Sequence, residues 1–144
     1  MYMLDTSHFH PMLVHFPIAL TLTGLGLELF RVFFGKTEAK LPSGELLLYI
    51  AAATAVLALL SGFLFTSALA GKPLEVRNTH VLLAILATSA LSLASLFYLL
   101  DRFGKRKRSA YPMIGLSLYA MATILMAAAG HMGGTLVYTY MIGL

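Results

Sequence analysis

Four long apolar runs, separated by short polar segments, organise the chain. The first extends from about residue 11 to 34 and is interrupted by charge only at Glu28 and Arg31, which are three apart and can pair on one helix face. The second, 46–69, has no charged residue, and at about 1.5 Å per residue it is long enough to cross about 30 Å of hydrocarbon. The third runs from 79 to 100, with His80 in its first turn and Asp101 closing it. The fourth begins near residue 110 and stays uncharged to Leu144, too long for one straight span. The Gly-His-Met-Gly-Gly segment at 130–134 is therefore expected to end that helix near 131 and leave a short interfacial tail, with Tyr138 and Tyr140 at headgroup depth. This pattern predicts an all-α, membrane-embedded four-helix bundle, a single domain over 1–144.

The connections read as turns. Gly35–Glu45 is a polar linker in which Ser43 is placed to cap the second helix with Glu45 in its first turn, and the Gly-Lys-Pro-Leu-Glu-Val-Arg-Asn segment is a short turn before the third. Composition agrees: of 144 residues, 59% are hydrophobic and 11% charged, and the mean hydropathy is +0.84, which a soluble domain of this size would not tolerate on its surface. The N-terminal segment lacks the basic start of a secretory signal peptide, so the first helix is expected to be retained. No internal repeat is evident.

Charge sets the orientation. Arg31, Lys36, Lys40, Arg102, Lys105, Arg106, Lys107 and Arg108 fall on one side of a four-span topology, and only Lys72 and Arg77 on the other. The positive-inside rule then puts both termini and the middle loop outside the cytoplasm, and the net charge of +4 is mainly a topology signal rather than a nucleic-acid footprint.

On that topology all five histidines lie at the outer end: His8, His10 and His15 in or before the first span, His80 in the third and His131 in the fourth. Pro17, within the first span, removes the donor for the Leu13 carbonyl, a feature of shaped membrane sites rather than plain anchors. With no cysteine, thiolate, iron–sulfur and covalent haem sites are excluded. Imidazoles at the mouth of a bundle suit axial ligation of a b-type haem, with the small residues of the second span (Ala51, Ala52, Ala53, Ala55, Ser61, Gly62) admitting a flat cofactor or a close helix. Arg77, three residues before His80, is placed to meet a propionate. The rival is zinc or copper on His15, His80 and His131, with Met12 or Met132 as a soft ligand.

Three motifs carry a resemblance: His-Pro-x-x-Val-His-Phe-Pro-Ile-Ala-Leu at 10–20, Arg-x-x-His at 77–80, and Gly-His-Met-Gly-Gly-x-Leu-Val-Tyr at 130–138. In this order they resemble the domain-of-unknown-function family 2231 of small bacterial four-helix membrane proteins. The resemblance implies haem or metal binding through His10, His15, His80 and His131. The chain departs from the pattern at Tyr140 and Met141, where a histidine and a glycine are usual, so no ligand is expected from the tail.

The function expected is a membrane haem b protein transferring electrons on the extracytoplasmic side, with a quinol, a soluble cytochrome or a partner subunit as redox partner. The alternative is a zinc- or copper-binding or delivery protein using the same histidines, and a third reading is a structural subunit. A stand-alone enzyme is not indicated, since zinc-protease, phosphate-loop and nucleophile-elbow motifs are all missing from the sequence. Glu28, at the opposite end from the histidines, is not linked to them at this level. Gly130 and Gly134 would permit a homo-oligomeric helix contact, though helix termination is the favoured role.

Overall fold

The computed structural model describes residues 9–35, 42–65, 69–104 and 110–141. These form four helices: α1 (Phe9–Phe34), α2 (Ser43–Phe65), α3 (Lys72–Phe103) and α4 (Ala110–Tyr140). All four are long and apolar enough to cross a membrane. His8, most of the first linker and the Lys-Arg-Lys-Arg run lie outside the described residues.

The start of α1 meets the end of α2 through His10 and Ser61, and its end meets the start of α2 where Glu28 abuts Gly44. Likewise His80, early in α3, bonds Ala129 late in α4, while Tyr98 packs on Gly115 at the other end. Neighbours are therefore antiparallel, and contacts of Gly24 with Tyr119 and of Gly130 with Ile18 close the ring between α1 and α4. This is the up-down-up-down bundle that short connections favour.

In a bilayer, lipid tails remove the hydrophobic drive between helices, so close backbone approach must hold the bundle together. The core is accordingly built from Ala51, Ala52, Ala55, Ala87, Ala90, Ala94 and Ala122 around Leu48, Leu91 and Tyr119, while Phe30, Phe33, Leu64, Leu82 and Ile124 are exposed on the outside. A Cβ on Gly44 would lie 2.7 Å from the Glu28 amide nitrogen and 2.8 Å from the Gly24 carbonyl, so only glycine lets α1 and α2 meet there.

Two helix boundaries differ from the sequence pattern. Helix α3 begins at Lys72, not 79: Pro73 occupies the first turn, where its missing N–H costs nothing, and Glu75 complements the helix dipole. Helix α4 does not stop at the glycines but continues to Tyr140, because Gly130 and Gly133 are packing positions, receiving Ile18 and His80, rather than a terminator. Ser43 is one residue inside α2, whose first turn is closed by the Pro42 carbonyl accepting from Leu46 N–H.

Candidate functional site: a histidine-walled cavity

Between the four helices, at the end that holds the chain's described histidines, lies a cavity of about 390 Å³. Its wall is mostly apolar: Val14, Pro17 and Ile18 from α1, Ala55, Ala58 and Leu59 from α2, Val81 and Ala84 from α3, and Met126, Leu136 and Val137 from α4. The polar groups in it are few and convergent, as in small-ligand sites: His10, His15, Arg77, His80 and Thr88.

His10 and His80 face each other across this space, their ring centres 6.2 Å apart and their planes at 78°. Each ring rests against a glycine of the neighbouring helix. A Cβ at Gly62 would come within 3.0 Å of His10 Cε1, and one at Gly133 within 3.2 Å of His80 Cε1. The sequence pattern marked Gly62 as a place of close approach but not its occupant, and it did not single out Gly133.

Hydrogen bonds tie both rings down at Nδ1. His80 Nδ1 lies 2.8 Å from the Ala129 carbonyl, which only accepts, so Nδ1 carries the proton. Ser61 donates its hydroxyl proton to the Ala58 carbonyl at 2.7 Å, leaving its oxygen to accept from His10 Nδ1 at 2.9 Å. A neutral ring protonated at Nδ1 keeps its lone pair at Nε2. An imidazole whose Nδ1–H is tied to a protein acceptor and whose Nε2 is left bare is the arrangement in which histidine binds metal.

The other expected ligands are placed differently. His15 is exposed at the cavity rim, its Nδ1–H donated to the Pro11 carbonyl at 2.6 Å. His131 is exposed and does not line the cavity. Arg77 is half-buried in the wall, one helical turn from His80 as its spacing predicts. Among the described residues, no three of His, Cys, Asp and Glu gather as a metal site.

A second polar cluster occupies the opposite end. Glu28 is fully buried and accepts from Arg31 (Nε 3.0 Å, with Nη2 also in contact) and from the Tyr98 hydroxyl at 2.8 Å. Glu45, also buried, accepts from Arg102 Nε at 3.0 Å and from the Tyr49 hydroxyl at 2.5 Å. The sequence foretold the Glu28–Arg31 pair from its spacing. The partnership of Glu45 with Arg102, 57 positions away, has no local signal.

Fold and cavity together define a multi-pass membrane protein with paired imidazoles inside its bundle. The chain belongs to the DUF2231 family, described as a predicted membrane protein, whose pattern matches residues 6–144. No curated protein and no solved structure matches it.

Proposed function

We propose that this is a b-type haem protein of the bacterial cytoplasmic membrane, with both termini outside the cytoplasm, in which His10 and His80 hold the iron and Arg77 meets a propionate. The observation that carries the reading is the pair of histidines, each engaged at Nδ1 by a neighbouring helix, in one apolar cavity. With ring centres 6.2 Å apart, His10 and His80 would be the residues to hold such a group together.

The count of ligands favours porphyrin over bare metal. Zinc sites take at least three protein donors, whereas haem brings four nitrogens of its own and asks little more of the protein. Zinc or copper remains the alternative cargo, and it would need His15 to swing inward from the rim. Bound haem would supply a one-electron redox centre near the outer face, placed for exchange with a quinol, a soluble cytochrome or a partner subunit. An apolar wall raises the cost of the charged iron state and so bears on the potential.

The test is the absorption spectrum of the purified chain titrated with haem. A Soret band that saturates at a fixed stoichiometry and is lost or shifted in both His10→Ala and His80→Ala is the expected result. A colourless protein that takes up zinc or copper stoichiometrically, or one whose spectrum is the same without His10 and His80, refutes it.

A further inference from the structure

The buried face of α1 does not stop at the cavity. Pro17, Thr21, Gly24 and Glu28 are its buried residues, and they follow one another at helical spacing from the cavity wall to the carboxylate at the far end. Thr21 is fully buried, and its hydroxyl has no protein partner. Tyr119 of α4 is also fully buried, with its hydroxyl in the notch left by Gly24 and again without a protein partner. On the facing helix, buried Thr88 lines the cavity.

A structural ion pair does not account for these hydroxyls. Glu28 already has Arg31 and Tyr98, and the neighbouring Glu45 has Arg102 and Tyr49, so the charged cluster is satisfied without Thr21 or Tyr119. An unpartnered hydroxyl in a membrane interior costs stability, and phenylalanine or valine would pack there without that cost. Hydroxyls both donate and accept, which is what a proton relay asks of each member. Successive turns of α1 are about 5–6 Å apart, a gap that one bridging water spans with two ordinary hydrogen bonds.

We propose that Glu28, Tyr119, Thr21 and Thr88 form a proton-conducting file joining the Arg31 end of the bundle to the histidine cavity. A proton taken up at the Glu28 carboxylate, as Arg31 turns toward solvent, passes to the Tyr119 hydroxyl. That hydroxyl hands its own proton on to Thr21, Thr21 hands one to Thr88 at the cavity wall, and Thr88 releases one into the cavity, so each member ends the cycle with the proton count it began with. From the cavity the proton leaves past the rim, where His15 and Tyr138 are exposed. The inference rests on the cavity and the buried face of α1 and is independent of what the histidines bind.

The experiment uses the purified full chain, without added haem, in liposomes containing a pH-sensitive dye. A potassium gradient with valinomycin imposes the voltage. Proton entry faster than in protein-free vesicles is expected, falling to the protein-free rate in both Thr21→Val and Tyr119→Phe. Tyr119→Phe removes only a hydroxyl and Thr21→Val exchanges one for a methyl group of similar size, so their thermal midpoints are expected to equal or exceed that of the unmodified chain. Flux no faster than in protein-free vesicles, or undiminished flux in either variant, overturns the proposal. The haem titration is read separately, so each reading fails or stands by itself.

Discussion

Replacing Gly62 by alanine places a methyl group 3.0 Å from Cε1 and 3.4 Å from Nδ1 of His10. Carbon atoms settle about 3.5–4.0 Å apart, so the imidazole must retreat by about 0.5–1 Å. That retreat stretches the 2.9 Å bond to Ser61 toward the length at which it ceases to count. The lost bond is worth about 0.5–1.5 kcal/mol, while alanine in place of glycine within a helix returns up to about 1 kcal/mol. The two nearly cancel, so the haem-free protein should unfold within about 1 kcal/mol of the unmodified one. Haem binding has no such compensation, because the ring loses the partner that orients it, and affinity should fall about 10–100-fold. Gly26→Ala is the control, since a Cβ there meets nothing within 4 Å. The assay is a haem titration followed at the Soret band beside thermal unfolding in the same detergent. If Gly62→Ala binds haem as tightly as Gly26→Ala, the seat beneath His10 does not position the ligand and the reasoning is wrong.

Other outcomes follow from the same geometry. Arg102→Met leaves the buried Glu45 carboxylate without its cation and should destabilise the bundle by about 3–5 kcal/mol, whereas Arg102→Met combined with Glu45→Leu should recover much of that loss; thermal unfolding in detergent decides, and equal loss in both refutes the pairing argument. His131→Ala should leave the haem spectrum unchanged, because the side chain is exposed and outside the cavity, and a lost Soret band would reinstate it as a ligand. A reporter fused after Leu144 should read extracytoplasmic and one inserted in 104–109 cytoplasmic, with the reverse pattern inverting the placement of the histidine end.

How much was legible in the sequence depends on whether the signal was periodic or pairwise. Long apolar runs with charged breaks give four spans directly, because nothing else satisfies the backbone in hydrocarbon. Helix α3 was shortened at its start because Lys72, Glu75 and Arg77 read as loop, although charges are ordinary in a first turn that emerges from the membrane. Ending α4 near 131 has a larger consequence. On a continuous helix, Met126, Ala129, Gly130, Gly133 and Val137 share the cavity face and His131 is turned about 100° from Gly130, away from it. Cutting the helix there removed the periodicity that separates His131 from the cavity. His10 and His80 are recognisable as candidates in the sequence, but their convergence on one space depends on how α1 and α3 pack across the bundle. The glycine seats and the Glu45–Arg102 pair are cross-helix relations, which a single sequence does not encode locally.

The alanine-rich core has a mechanical consequence. Alanine has no rotamers, so Ala51, Ala55, Ala87, Ala94 and Ala122 cannot answer a change in the cavity by repacking, as leucine or methionine would. Beyond the room that wall residues such as Ile18, Leu59 and Met126 give by turning, the helices must shift as stiff rods. At one end those rods are pinned by the Gly24–Gly44 backbone contact and by the bonds of Glu28 to Tyr98 and of Glu45 to Arg102. A guest entering between His10 and His80 would therefore pry the bundle from the other end, as a peg opens about its spring. Entry and escape would then be slow, set by how far whole helices part rather than by how fast side chains turn.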